Sequence, residues 1–178
     1  ELCEKYGFRG PYAMHINASG IYRKYTGESW GPHTKDAKAP PPQYAKELTA
    51  MTRFIESERE KHGWPEFLYY PVDEPGRHPE SVKLMRITLK AIQAAGAPTY
   101  VTAAPEHEQF QPLKPHVNVW CTQTFLPDRQ TVLADMAARD VQYWCYPNKS
   151  CGENDHTTVR GARMTYGYGF WRSGFVAL

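Results

Sequence analysis

The stretch FLYYPVDEPGRHPE, residues Phe67 to Glu80, contains the change from strand to helix on which the predicted fold depends. Its first part, Phe67 to Val72, is an aromatic and apolar run typical of a buried strand. Two adjacent carboxylates, Asp73 and Glu74, follow it, and a proline and a glycine then break the strand. Pro79 suits the first turn of a helix, whose apolar stripe comprises Val82, Met85, Leu89 and Ile92.

The same alternation of strands and helices continues along the chain. Helices are predicted at Gln43 to Lys61, from Pro79 onward, from the cap Asp128 onward, and at the start of Thr157 to Trp171. A polar loop rich in Gly, Lys and Pro is predicted between the first strand and the helix at Gln43 to Lys61. Strands are predicted at Tyr12 to Ile16, Phe67 to Val72, Thr99 to Thr102, Val117 to Thr122, Val141 to Tyr146 and Gly174 to Leu178.

Strands that alternate with helices predict an α/β fold with a parallel sheet. Both the doubly wound sheet and the closed (β/α)8 TIM barrel fit this order, but no glycine-rich phosphate turn follows any strand. The barrel is therefore favoured. Only about six of its eight βα units can be counted, so residues 1–178 are predicted to be a partial catalytic barrel, cut at both ends. We expect such a piece to be unstable when it is expressed alone.

Composition argues against several classes of partner. The net charge is +2, and Lys and Arg are scattered, so no nucleic-acid partner is expected. No apolar run approaches the length that spans a bilayer, so no membrane partner is expected. The four cysteines form no CxxC pair, and the spacing of Cys145, Cys151 and His156 matches no usual zinc pattern, so neither metal nor cofactor is predicted. The oligomeric state is left open.

Polar side chains follow several predicted strands at their carboxyl ends, where TIM barrels build their active sites. Trp144 lies within the fifth strand and offers an aromatic face for a sugar ring. The high aromatic content, 13%, fits a carbohydrate cleft as well as an aromatic-rich core. The predicted rim at the strand ends comprises His15, Asn17, Asp73, Glu74, Gln123, Tyr146 and Asn148.

Adjacent carboxylates suit glycoside cleavage in which a 2-acetamido group of the substrate acts as nucleophile. One carboxylate then orients the acetamido group, and the other acts as general acid and later as general base. The longer reach of Glu74 favours it as the acid/base, with Asp73 as the orienting group. Two alternatives remain open. An ordinary two-carboxylate glycosidase would use Glu74 with Glu153 or a residue elsewhere as nucleophile, and a non-catalytic carbohydrate-binding barrel would carry the pair as a solvated turn.

The segments FLYYPVDEP, VNVWCTQTF, VQYWCYPN and RGARMTYGYGFWRSGFVAL together resemble the catalytic barrel of family 123 glycoside hydrolases or a relative of that family. The resemblance implies an exo-acting, retaining β-N-acetylgalactosaminidase, in which Asp73 and Glu74 match the catalytic pair. Trp144 and Tyr146 match a W-x-Y pattern, and Arg163 matches an arginine ahead of the final strand. The resemblance also implies a secreted or periplasmic protein and a carbohydrate substrate.

Overall fold

The computed structural model describes residues 5–7, 9–31, 34–122 and 129–145. Strands and helices alternate through these residues, with one 3-10 helix at Glu108–His116. The strands are β1 (Tyr12–His15), β2 (Phe67–Tyr70), β3 (Tyr100–Thr102), β4 (Val119–Thr122) and β5 (Gln142–Cys145). The α-helices are α1 (Ala18–Thr26), α2 (Pro42–His62), α3 (Pro79–Gln93) and α4 (Arg129–Ala138).

All strand pairs among these residues are parallel. β1 pairs with β2, and His15 lies opposite Tyr70 in that register. β3, β4 and β5 form a second sheet in this order. A single bridge between Tyr69 and Thr99 joins the two sheets, and the Tyr69 N–H donates to the carbonyl of Pro98 at 2.9 Å. The carboxyl ends of the five strands therefore lie at the same edge.

One face of the strands packs against the helices. Tyr69 is fully buried on this face, and its hydroxyl donates to Glu56 of α2 at 2.8 Å. Burial raises the pKa of Tyr69. Successive side chains of a strand alternate between its faces, so Tyr70 lies on the face away from the helices. Val101 and Trp120, which are fully buried in the same core as Tyr69, continue the helix-facing layer across β3 and β4.

The predicted TIM barrel is wrong for the residues that the structure describes. These residues form two short parallel sheets, of two strands and of three, and the sheets do not close. A closed barrel needs strands that pair all the way round, with matched tilt and stagger. Here β1 and β5 are the outer strands, and neither pairs with a further described strand. The described residues form helices together with two short parallel sheets, of two strands and of three.

The structure confirms five of the predicted strands and three of the predicted helices, with ends that differ by up to two residues. The predicted polar loop after β1 is wrong in part, because α1 occupies Ala18–Thr26. Asn17 caps this helix by accepting the Gly20 N–H at 3.0 Å, and Gly27 ends it at φ 75°. The predicted segments Thr157 to Trp171 and Gly174 to Leu178 lie outside the described residues.

A buried hydrogen bond joins α2 to α3. The oxygens of Tyr44 and Thr88 are 2.7 Å apart, and both residues are fully buried. The Thr88 hydroxyl also donates to the carbonyl of Leu84 at 2.9 Å, so Tyr44 must be the donor in the pair. Thr88 thus keeps a partner without Tyr44, whereas the Tyr44 hydroxyl depends on Thr88.

This asymmetry predicts unequal costs for two single substitutions. Tyr44→Phe is expected to lower the free energy of unfolding by about 1 kcal/mol, because Thr88 keeps its bond to Leu84. Thr88→Val is expected to cost roughly 1–3 kcal/mol, because it leaves a buried hydroxyl without an acceptor. The double variant is expected to cost less than the sum. Urea denaturation of the full-length variants measures all three values.

Thr52→Val is the matched control. Thr52 is also fully buried on a helix, but its hydroxyl donates to the carbonyl of Leu48 on its own helix at 2.8 Å. No buried donor is left unpaired by this change, so a smaller loss is expected than for Thr88→Val. Equal losses for Tyr44→Phe and Thr88→Val would contradict the assignment of donor and acceptor, and additive losses in the double variant would contradict the hydrogen bond itself.

Candidate functional site

Asp73 and Glu74 lie in a bend directly after β2, at the carboxyl edge of the sheet. Both residues are exposed, while the flanking Val72 and Pro75 are buried. Water screens exposed like charges, so the two carboxylates can sit side by side at modest cost. The buried neighbours fix the backbone of the bend, and the two acids point out from it.

Asp73 is anchored by the hydroxyl group of Tyr70, and the hydroxyl group of Thr102 lies close by. The Tyr70 hydroxyl donates a hydrogen bond to Oδ1 of Asp73. Oγ1 of Thr102, the last residue of β3, lies 3.4 Å from the same carboxylate oxygen and 3.0 Å from the Tyr70 hydroxyl. The Tyr70 hydroxyl therefore holds one oxygen of Asp73 at the strand edge, and Thr102 on the neighbouring strand contacts the same hydroxyl.

Glu74 has an unusual backbone conformation. Its φ is 42°, in the left-handed region that costs a residue with a side chain roughly 1–2 kcal/mol. Its backbone N–H donates to Oγ1 of Thr102 at 2.8 Å. This hydrogen bond from β3 helps to hold the conformation. Sparsely populated backbone conformations of this kind cluster at active sites and ligand clamps.

Four rings run across the strands beside the carboxylates. His15 and Tyr70 have centroids 5.9 Å apart, Tyr70 and Tyr100 are 5.1 Å apart, and Tyr100 and Trp144 are 5.7 Å apart. All three contacts are edge to face, which is a favoured geometry for aromatic pairs. The rings, together with the polar groups at the sheet edge, have the mixed aromatic and polar character of ligand pockets.

The predicted site residues meet different outcomes. The structure brings His15 and Trp144 into the row of rings with Tyr70, next to Asp73. Asn17 has a structural role, since its side-chain oxygen caps α1. The remaining predicted residues, Gln123, Tyr146, Asn148 and Arg163, lie outside the described residues, as does the alternative nucleophile Glu153.

Sequence reasoning missed Tyr70, Tyr100 and Thr102. Thr102 ends β3, so the rule that selected other strand ends would have selected it as well. Tyr70 and Tyr100 carried a weaker signal, because an aromatic residue within a strand is typical of the core. Only the alternation of faces distinguishes the fully buried Tyr69 from the partly exposed Tyr70.

The described thiols are poor candidates for chemistry. Cys121 and Cys145 are both buried and free. Burial raises the pKa of Cys121 to about 11, although a hydrogen bond with Tyr100 opposes the shift. Cys151 and His156, which completed the zinc pattern considered above, lie outside the described residues. Within the described ranges, no three His, Cys, Asp or Glu residues are grouped as metal ligands, and no helix could span a membrane.

Comparisons with known proteins leave the function open. No family model, no curated protein and no solved structure matches the chain. The resemblance to family 123 glycoside hydrolases, and the residue roles that it implies, therefore stay predictions.

The left-handed backbone at Glu74 predicts that glycine is the better replacement there. Glu74→Gly is expected to be more stable than Glu74→Ala by about 1 kcal/mol, because glycine adopts positive φ without a Cβ clash. Both variants remove the carboxylate, so their difference reports on the backbone alone. Urea denaturation of the full-length variants measures this difference.

Glu66, at the other end of β2, supplies the control. It is exposed and does not have a positive φ, so alanine is expected to be at least as stable as glycine there. If the alanine variant were more stable than the glycine variant by the same amount at Glu74 as at Glu66, the left-handed conformation of Glu74 would be contradicted.

Proposed function

We propose that the chain carries the catalytic site of a glycoside hydrolase that cleaves β-linked N-acetylhexosamines with retention of configuration. N-acetylgalactosamine is the sugar that the family resemblance favours. The observation that carries the proposal is the anchored carboxylate of Asp73 beside the exposed carboxylate of Glu74, at the carboxyl edge of a parallel sheet. This edge is the usual place for ligand sites in α/β proteins.

Asp73 suits the orienting role. Its Oδ1 is engaged by the Tyr70 hydroxyl, which restricts the rotation of the carboxylate. Oδ2 is then the oxygen to accept the N–H of the acetamido group. A carboxylate held in one orientation directs the acetamido oxygen towards the anomeric carbon and stabilises the positive charge that develops.

Glu74 suits the general acid/base role. Its side chain is one methylene longer than that of Asp73, and it is exposed where a leaving group and then water can approach. Its backbone is fixed by Thr102, so the carboxyl group starts from a defined position. A general acid must lie within hydrogen-bond reach of the oxygen that it protonates.

The reaction has two steps. In the first, the acetamido oxygen attacks the anomeric carbon, the glycosidic bond breaks, and Glu74 gives its proton to the departing oxygen. The product is a bicyclic oxazolinium whose N–H is held by Asp73. In the second step, Glu74 takes a proton from water while the water oxygen attacks the anomeric carbon. The bond between the anomeric carbon and the acetamido oxygen of the oxazolinium ring breaks at the same time, and the acetamido group is restored. Two inversions at the same carbon give net retention.

The row of rings supports a carbohydrate as ligand. Tyr70 connects the row to Asp73, so a sugar held over the rings would lie next to the carboxylates. Aromatic surfaces with a few placed polar groups are typical of small-molecule sites. The secreted or periplasmic location implied by the family resemblance fits a glycan-degrading enzyme.

The two roles predict different sensitivities to the leaving group. Glu74→Gln is expected to lower kcat/KM by about 10²–10⁴-fold on aryl β-N-acetylhexosaminides with a poor leaving group, because the general acid is gone. The loss is expected to be much smaller on a dinitrophenyl leaving group, which needs little protonation. Asp73→Asn is expected to lose activity on both substrates. Steady-state kinetics of the full-length enzyme measure these effects, and the galacto and gluco forms of the substrate identify the sugar.

The matching sugars with a 2-hydroxyl group test the proposal directly, with Glu66→Gln as control at the opposite end of β2. Wild-type turnover confined to the acetamido substrates, with Glu66→Gln unchanged, would support substrate participation. Equal turnover of both classes would instead point to an ordinary two-carboxylate glycosidase. Binding of the sugars without turnover, unchanged in Glu74→Gln, would point to a carbohydrate-binding protein.

A further inference from the structure

We propose that Tyr70 and Thr102 are positioning residues for the carboxylate pair, and that they act as one hydrogen-bonded unit. The inference rests on the proposed function, because it assigns these residues to the reaction of Asp73 and Glu74. Neither residue is proposed to touch the reacting atoms. They lie on β2 and β3, the two strands that meet at the bridge between the sheets.

The order of donors and acceptors follows from counting protons. Tyr70 has one hydroxyl proton, and it donates this proton to Oδ1 of Asp73. Thr102 also has one hydroxyl proton, and the Tyr70 oxygen at 3.0 Å is a nearer acceptor for it than Oδ1 of Asp73 at 3.4 Å. Because Tyr70 has given its own proton to Asp73, Thr102 is the donor in its contact with Tyr70. Thr102 in turn accepts the N–H of Glu74 at 2.8 Å. The hydrogen bonds thus run in one direction, from the Glu74 backbone through Thr102 and Tyr70 to Asp73.

Asp73 and Glu74 are adjacent in sequence, and the hydrogen bonds connect them a second time through Thr102 and Tyr70. The first of these bonds holds the backbone of Glu74 in the left-handed conformation, and the last needs an acceptor on Asp73. The arrangement is complete when Asp73 is a carboxylate, which is the form that accepts the acetamido N–H. The hydroxyl group of Thr102 takes part in both bonds of the connection, the one to the Glu74 backbone and the one to Tyr70.

The backbone link between the sheets and the contact of β2 with α2 do not use these two hydroxyl groups. The link between the sheets is made by backbone groups of Tyr69, Pro98 and Thr99, and the contact of β2 with α2 is made by the side chain of Tyr69. Tyr70 and Thr102 both contribute their hydroxyl groups on the opposite side, at the carboxyl edge beside exposed Asp73. Their hydrogen bonds are thus available to position the site.

The test compares Thr102→Val with Thr102→Ser in the full-length enzyme. Valine keeps the shape of threonine but removes the hydroxyl, so kcat on the 2-acetamido substrate is expected to fall by roughly 10–100-fold through misplacement of the acids, with little change in KM. Serine keeps the hydroxyl and is expected to restore most of the rate. Tyr70→Phe is expected to lose kcat as well, and the double variant with Thr102→Val is expected to lose little more than either single variant.

Hydrogen exchange at the Glu74 amide supplies a readout that does not depend on turnover. Exchange is expected to be slow in the wild type and in Thr102→Ser, and fast in Thr102→Val. Thr52→Val, the buried threonine of α2 described above, controls for general loosening and is expected to leave the Glu74 amide unchanged.

The outcomes separate this inference from the proposed function. A wild-type kcat in Thr102→Val, or an unchanged exchange rate of the Glu74 amide in that variant, would overturn the positioning role. The proposed function would still stand if Glu74→Gln lost activity. Failure of serine to restore the rate would also overturn the positioning role, because the hydroxyl would not be the group that matters. A wild-type enzyme inactive on 2-acetamido sugars would overturn the proposed function, and the inference with it.

Discussion

The hydrogen bond from the Tyr69 N–H to the carbonyl of Pro98 is the contact on which the candidate site depends. It joins the two sheets through a single bridge, and it sets β2 and β3 side by side. Tyr69 is itself held from the helix side by Glu56, which also pairs with Arg59 at 2.9 Å. Because parallel strands end at a common edge, this one junction brings Thr102 within reach of Tyr70, Asp73 and the backbone of Glu74.

The adjacency of the two acids has a consistent physical explanation. Their side chains are exposed, so the repulsion between them is screened, and their backbone is fixed by buried neighbours and by Thr102. The carboxylate of Asp73 is anchored by a hydroxyl group of the preceding strand, and Glu74 has a left-handed backbone conformation. The two acids thus differ in their surroundings: Asp73 is held through its side chain and Glu74 through its backbone.

The individual strands and helices were predictable from the sequence. Whether the strands close into a barrel was not. The apolar stripe of α3 and the run before Asp73 each indicated their element, and the strand-end rule located the acids. Helix α1 also had readable signals, the cap Asn17 and the stop Gly27, which the polar composition of the segment obscured. Closure into a barrel depends on strand number, tilt and stagger, which no local pattern encodes. The contact of Tyr70 with Thr102, which lies thirty-two residues further along the chain, is seen only in the three-dimensional structure, and the proposed role of Tyr70 rests on it.

Participation of the substrate's own acetamido group is the central claim, and its direct test changes the nucleophile rather than the protein. The measurement is kcat/KM of the full-length protein on aryl β-N-acylhexosaminides whose acyl methyl group carries increasing numbers of fluorine atoms. Fluorine withdraws electrons from the carbonyl oxygen that must attack the anomeric carbon. Participation therefore predicts a steep fall in kcat/KM with each added fluorine. The same dependence on fluorination is expected for Thr102→Ser. A rate that does not depend on fluorination would contradict substrate participation and require a nucleophile from the protein.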